Sequence, residues 1–149
     1  MEFDINNLED MKAAARQLLN FSIGKAEINS KATILGLYGN LGAGKTTFTQ
    51  FIAKELGIKE NITSPTFVIQ KSYAINPAVR SIYRKLVHID AYRLKNGQEL
   101  SVLGWQKTIS EPNTLICIEW PENVADVMPS HIKIQFEHVE EGKRRIVVQ

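Results

Sequence analysis

The chain has 149 residues, of which 44% are hydrophobic and 23% are charged, and its formal net charge is +2. This composition is typical of one soluble globular domain, placed here at residues 1–149, and so weak a charge gives no support for strong independent RNA binding. One cysteine, Cys117, excludes an internal disulfide and a multi-cysteine metal site. The polar start is unlike a secretory signal and no apolar run is long enough to cross a membrane, so we expect a cytoplasmic protein.

The first part of the chain predicts a helix, a strand and a second helix. Asn6 and Asn7 precede an amphipathic stretch with acidic residues in its first turn, which predicts a capped helix from residue 8. The apolar run ATILGLYG at 32–39 predicts a buried strand. After a glycine-rich loop, KTTFTQFIAKELG at 45–57 predicts a helix that stops at Gly57.

The remaining elements alternate between strands and looser segments. We predict strands at 66–73, 86–92 and 114–120, a partly helical segment at 98–109, and a terminal hairpin of 131–139 with 143–148. Mixed strands and helices with a phosphate-binding loop between a strand and a helix predict an α/β fold of the P-loop NTPase type. Its sheet is expected to be mainly parallel, flanked by helices, with the hairpin at the C-terminus.

The loop from Gly39 to Thr46 matches the phosphate-binding pattern G-x-x-x-x-G-K-[ST] in full. Its glycines let consecutive backbone amides turn inward to form an anion nest, and the following helix adds its positive end. Lys45 reaches the β- and γ-phosphates in such loops, and Thr46 offers its hydroxyl to magnesium. The alternative is a glycine-rich turn before an ordinary helix, but the strand and helix on either side favour nucleotide binding.

Two acidic residues, Asp90 and Glu119, end apolar strands. Ligands of parallel sheets lie beyond the carboxyl ends of the strands, so we expect both acids at the level of the phosphate loop, on strands neighbouring the 32–38 strand. There they would hold magnesium and orient an attacking water. Each acid taken alone is as easily explained by capping a loop or by pairing with an arginine such as Arg93.

Several other residues keep two interpretations. His88 shares a strand face with Asp90 and either contacts the catalytic region or is a satisfied buried histidine. Trp120 either forms an aromatic wall beside the nucleotide or belongs to the core. The basic cluster at 143–145 is either a solvated hairpin face or a contact to phosphate or RNA.

The chain lacks both the guanine-reading motif of Ras-like GTPases and the LSGGQ-type motif of ABC transporter ATPases. Their absence favours ATP as the nucleotide. A small-molecule P-loop kinase and an ATP-binding switch with negligible turnover remain alternatives to a hydrolase. The kinase is the less favoured of them, because the chain leaves little room for a lid and an acceptor domain.

Several separated motifs together make the sequence resemble the bacterial TsaE family, the ATP-hydrolysing component of the machinery that makes threonylcarbamoyladenosine in tRNA. The motifs are LGAGKTTF at 41–48, SPTF at 64–67, HIDAYRL at 88–94, QELSVLGW at 98–105 and IEWPENV at 118–124. LGAGKTT is generic to P-loop proteins, whereas the others in this order are much more specific and cover nearly the whole chain. The resemblance implies a compact P-loop fold and a magnesium-dependent ATPase.

The resemblance also implies a set of site residues. The expected catalytic residues are Asp90, which orients or activates water, Lys45, and Thr66 on the γ-phosphate side. The expected magnesium ligands are Thr46 and Glu119. The residues expected to contact ATP are Asn7, Gly42, Ala43, Gly44, Lys45, Thr46, Thr47, Trp120, Glu122 and one arginine of the last hairpin, Arg144 or Arg145, of which Arg144 is our candidate.

The partners come from the resemblance alone. Family members act with the TsaD and TsaB proteins, a threonylcarbamoyl transferase and its dimerisation partner. We therefore expect a protein complex as partner, contact with tRNA only through that complex, and no membrane.

Overall fold

The computed structural model describes residues 1–27 and 30–149. Within them lie seven strands: β1 Glu2–Ile5, β2 Thr33–Tyr38, β3 Gln70–Ala74, β4 Lys85–Asp90, β5 Thr114–Glu119, β6 Ile132–Glu140 and β7 Lys143–Val148. The helices are α1 Leu8–Lys25, α2 Lys45–Glu55, α3 Gln98–Val102 and α4 Trp105–Ile109, followed by a 3₁₀ segment at Pro121–Val127. None of the described helices is long and apolar enough to span a membrane.

The strands form one sheet in the order β1-β7-β6-β2-β5-β4-β3. The four central strands, β6, β2, β5 and β4, run parallel, whereas β1, β7 and β3 pair antiparallel at the two edges. β6 and β7 form the predicted hairpin. The α/β fold with a parallel centre is thus confirmed, and both edges are antiparallel.

Helices cover both faces of the sheet. On one face, α1 and α2 bury Leu18, Phe48 and Ile52 against Leu35 and Leu37 of β2. On the other face, a second apolar cluster is built around Trp105 of α4, which is fully buried. Because apolar residues line both sides of β2, β4 and β5, these strands are buried throughout and present only their ends to solvent.

Helix α1 begins at Leu8, as predicted, because Asn7 caps it. The Asn7 side chain accepts a hydrogen bond from the Asp10 amide at 2.9 Å, and the Asp10 carboxylate accepts one from the Asn6 amide at 2.9 Å. This reciprocal arrangement satisfies two amides that the helix itself leaves free. It also places the N-terminus of α1 beside the phosphate loop, since Met11 lies against Gly44.

The predicted strand at 66–73 is wrong at its first half. Residues 66–69 form a turn, with Ile69 at φ 68°, and the strand begins only at Gln70. The physical reason is a set of contacts to a distant strand: Ser64 and Thr66 hydrogen-bond to Asp90, and the Asp90 amide donates to the Ile69 carbonyl. The two hydroxyl bonds hold residues 64–66 at the end of β4, so regular pairing with β4 begins only at Gln70.

Three further features differ from the sequence-based expectation. β1 was not predicted, and it exists because its four residues pair with β7 from the other end of the chain. The 3₁₀ segment at Pro121–Val127 was also not predicted. Asp90 and Glu119 were both expected on strands next to β2, but of their two strands only β5 adjoins β2, and β4 lies one strand further out.

Candidate functional site

The phosphate-binding loop adopts backbone angles that require glycine. Gly39 has φ 144° and Gly44 has φ 103°, both in the region that side-chain-bearing residues rarely adopt. A Cβ on Gly39 would lie 2.6 Å from the Phe136 carbonyl oxygen of β6. The loop is therefore packed tightly against the hairpin, and its amides stand at the N-terminus of α2, where backbone donors and the helix dipole favour an anion.

Lys45 is a buried cation at this loop, 4% exposed. Its ammonium donates to the Gly39 carbonyl and lies 3.7 Å from the centre of the Trp120 ring. Burial lowers the pKa of Lys45 below its usual value, while the charges of Glu119, Glu122 and Asp90 raise it. Within the described part of the chain Lys45 forms no ion pair, so a bound phosphate would supply a counter-charge.

Thr46 and Glu119 face one another across the end of β5. The Thr46 hydroxyl lies 3.1 Å and 3.0 Å from the two carboxylate oxygens of Glu119, which is 4% exposed. A hydroxyl and a carboxylate are oxygen donors of the kind that magnesium prefers when phosphate supplies its remaining ligands. Chemically, therefore, this pair fits the magnesium site expected from the sequence.

Asp90 lies beside Glu119 because the two are register partners at the ends of β4 and β5. Its Oδ2 accepts hydrogen bonds from the Ser64 hydroxyl at 2.8 Å and from the Thr66 hydroxyl at 2.9 Å. Its Oδ1 accepts from the Tyr92 amide at 3.0 Å. The carboxylate is thus held from both sides, and Arg93, considered above as its partner, lies instead over the Phe67 ring at 4.7 Å.

Trp120 joins β5 to the 3₁₀ segment in a left-handed conformation, with φ 59°. Its ring packs against Tyr92 at 5.1 Å between centres and covers the Lys45 ammonium. Its position fits both interpretations kept for this residue, because it lines the cavity at the loop and also packs against the second apolar cluster. Glu122, two residues further on, is exposed, and its charge acts on Lys45 without a direct contact.

Three cavities adjoin the loop in the described chain; one of about 330 Å³ lies against the hairpin and is lined by Asn40 and Arg144 among others, and the other two hold most of the predicted site residues. One of about 400 Å³ brings together residues 42–47 with Thr66, Asp90, Glu119 and Trp120. A second of about 260 Å³ lies on the other side of the loop and is lined by Asn7, Met11, Thr47 and Arg144 among others. Arg145 instead donates to Asp4 at 3.1 Å, so Arg144 is the arginine beside the loop.

Comparisons with known proteins identify the family. The sequence model of the family described as "Threonylcarbamoyl adenosine biosynthesis protein TsaE" matches residues 5–146. This chain belongs to the TsaE family.

Its relatives include proteins named tRNA threonylcarbamoyladenosine biosynthesis protein TsaE from two distant bacteria. The Rickettsia felis protein is 35% identical over 142 residues, covering 94% of this chain and 74% of the relative. The Treponema pallidum protein is 36% identical over 120 residues, covering 79% and 82%. The crystal structure of Bacillus subtilis YdiB superposes with a TM-score of 0.72 at 26% identity, covering 98% of this chain and 82% of that one.

In this TsaE family member, one contact at the site was not foreseen from the residues. Ser64 holds Asp90 together with Thr66, and the only hint was its place in the SPTF motif. Of the two interpretations of His88, its position fits the contact with the site, since its Nε2 lies 2.7 Å from Glu119 Oε2. Asn7 lines the second cavity, but its side-chain oxygen is engaged in capping α1.

Proposed function

We propose that this protein is a magnesium-dependent ATPase that serves the formation of threonylcarbamoyladenosine in tRNA, in the cytoplasm. The observation that carries the proposal is one cavity that holds Lys45, the Thr46–Glu119 pair and Asp90 at a complete phosphate-binding loop. Family membership and the names of the relatives supply the pathway.

Phosphate binding rests on Lys45 and the loop amides. In the free protein the ammonium is satisfied by the Gly39 carbonyl and the Trp120 ring, which are weaker partners than an ionised phosphate oxygen. Nucleotide binding would move the ammonium from these partners to the β- and γ-phosphates. Arg144 and Asn7, across the loop, would border the base and ribose side.

Thr46 and Glu119 would hold the metal ion. Magnesium at this position supplies positive charge that neutralises the phosphate oxygens as the γ-phosphoryl group departs. The protein's own part is to fix the two oxygen donors in place and to keep bulk water from the buried side of the site. Both donors are attached to regular elements, Thr46 to α2 and Glu119 to β5.

Asp90 would orient the attacking water. Its Oδ2 is engaged by two hydroxyls, and a water taking the place of one of them would lie on the Thr66 side of the carboxylate. Thr66 would turn its hydroxyl to the γ-phosphate as the nucleotide binds. Catalysis would then consist of positioning and charge stabilisation, as in other phosphoryl transfers.

The partners we propose are the TsaD and TsaB proteins, with tRNA contacted through them. Two exposed apolar side chains line the cavity, Leu41 at 74% and Tyr92 at 45%, and Phe67, the neighbour of the lining residue Thr66, is 84% exposed. A cluster of exposed apolar residues at a catalytic mouth is typical of a surface that another protein covers. Turnover would therefore depend on the partner complex.

The test is phosphate release from ATP with and without the TsaD–TsaB complex. We expect slow release by the protein alone, stimulation by the complex, and loss of at least 100-fold in Lys45→Ala because the loop loses its phosphate-binding cation. The matched control is Lys54→Ala, an exposed lysine of the same helix, which should keep wild-type rates. Transfer of labelled phosphate to an acceptor would instead indicate a kinase, and tight ATP binding without turnover would indicate a switch.

A further inference from the structure

His88 is a buried polar residue for which the catalytic scheme above has no use. It lies on β4, two residues before Asp90, and its side chain is fully buried. Its Nε2 lies 2.7 Å from Glu119 Oε2, while its Nδ1 is buried without a hydrogen-bond partner among the residues that the structure describes. Burying an imidazole with one unpaired nitrogen costs free energy. The hydrogen bond to Glu119 is the interaction that offsets this cost.

The direction of the His88–Glu119 hydrogen bond follows from the chemistry of the carboxylate. A carboxylate oxygen accepts, so Nε2 carries a proton and donates it to Glu119. Nδ1 is buried with no partner among the described residues. The opposite tautomer would set two acceptors against each other at 2.7 Å and bury an unsatisfied N–H as well.

We propose that His88 is a positioning residue for the metal-binding carboxylate. By donating to Oε2, it fixes the side-chain rotation of Glu119 so that both carboxylate oxygens stay beside the Thr46 hydroxyl, 3.1 Å from Oε1 and 3.0 Å from Oε2, where the metal ion would be held. The proposal rests on the proposed function, because it assumes that Glu119 binds magnesium. Donors behind a metal ligand commonly orient it in this way.

The need for such a residue follows from the charges at the site. Glu119 has several rotatable bonds, and the Lys45 ammonium is close enough for the two charges to act on each other. Without the bond from Nε2, the carboxylate could turn away from Thr46 toward this cation. His88 sits behind Glu119, on the side away from the cavity, since it does not line it. It can therefore hold the carboxylate without touching nucleotide.

The test compares His88→Leu, which removes the donor at similar volume, with His88→Gln, whose side-chain amide nitrogen reaches about as far as Nε2. Affinity for an ADP analogue is measured by calorimetry across a magnesium series and again in EDTA. We expect the magnesium dependence of His88→Leu to shift about 10- to 100-fold toward higher concentration, with unchanged affinity in EDTA. His88→Gln should restore the wild-type dependence to within a few-fold.

Several outcomes would overturn the proposal. Equal losses with magnesium and with EDTA in His88→Leu would mean a structural role, and so would a failure of His88→Gln to restore the dependence. If His88→Leu does not fold, nitrogen NMR of the wild-type ring still tests the proposal, because a ring that carries its proton on Nδ1 and none on Nε2 could not donate to Glu119. If wild-type binding does not respond to magnesium, the proposed function fails; if Glu119→Gln abolishes the response but His88→Leu does not, only the role of His88 fails.

Discussion

Asp90 and Glu119 occupy equivalent places in the sheet but are held by different kinds of structure. They are register partners at the ends of adjacent parallel strands, and both are nearly buried, at 6% and 4% exposure. Glu119 is held by a buried histidine and by a threonine of α2. Asp90 is held by Ser64 and Thr66, which lie outside any helix or strand.

This difference fits the separate roles proposed for the two carboxylates. A carboxylate held by side chains of the sheet and of a long helix keeps its position, as a metal ligand requires. A carboxylate held by hydroxyls of a surface segment can exchange one of them for water or for a nucleotide contact. The segment ends in Phe67, 84% exposed, so its conformation is open to whatever covers the cavity.

The largest expected effect distinguishes Asp90 from Glu119 by the property that each substitution reduces, turnover or magnesium-dependent nucleotide binding. In Asp90→Asn, turnover should fall about 100- to 10,000-fold, because the group proposed to orient water is lost, while magnesium-dependent nucleotide binding should stay within a few-fold of wild type. Single-turnover phosphate release and calorimetry measure the two quantities. Asp4→Asn, an exposed acid on β1, is the matched control. A loss of magnesium-dependent binding equal to that in Glu119→Gln would show that the two acids share one role.

A smaller effect tests whether the surface segment is what holds Asp90. Ser64→Ala and Thr66→Val each remove one of two hydroxyls from the same carboxylate oxygen, worth about 1 kcal/mol, or roughly a 5-fold change in turnover. Because both bonds end on one atom, the effects in the double variant should not add. Thr63→Val is the control, since within the described chain its hydroxyl makes no hydrogen bond. Strictly additive losses would mean that the hydroxyls act on different groups.

The sequence predicted the parts of this site that patterns within short stretches of the chain determine. The loop at Gly39–Thr46 could be predicted because a glycine pattern, an apolar strand and an amphipathic helix follow one another directly. Asp90 and Glu119 could be predicted because polar residues that end apolar strands meet at one edge of a parallel sheet. Beyond these, the match to the TsaE family model gave the pathway, which no single residue encodes.

What could not be predicted depends on contacts between distant segments. The turn at 66–69 exists because hydroxyls at 64 and 66 reach a carboxylate 24 to 26 residues away, which no local propensity reports. The strand order places β5 between β2 and β4, and the sequence carries no direct sign of that order. Likewise, only the pairing of β7 with β1 shows that Arg145 meets Asp4 and that Arg144 is left beside the loop.

The smallest expected effect tests whether the core next to Glu119 on β5 is closed to solvent. Cys117 lies two residues before Glu119 on β5, opposite His88 in register, and burial raises the pKa of its thiol to about 12. The pKa is raised, so the reactive thiolate is disfavoured at neutral pH: at pH 8 about one thiol in ten thousand would be ionised. We therefore expect no measurable labelling of the native protein by a thiol reagent at pH 8, and full labelling after denaturation. Labelling of the native protein at the rate of a free thiol would show that β5 opens to solvent, and that Glu119 is held no more firmly than Asp90.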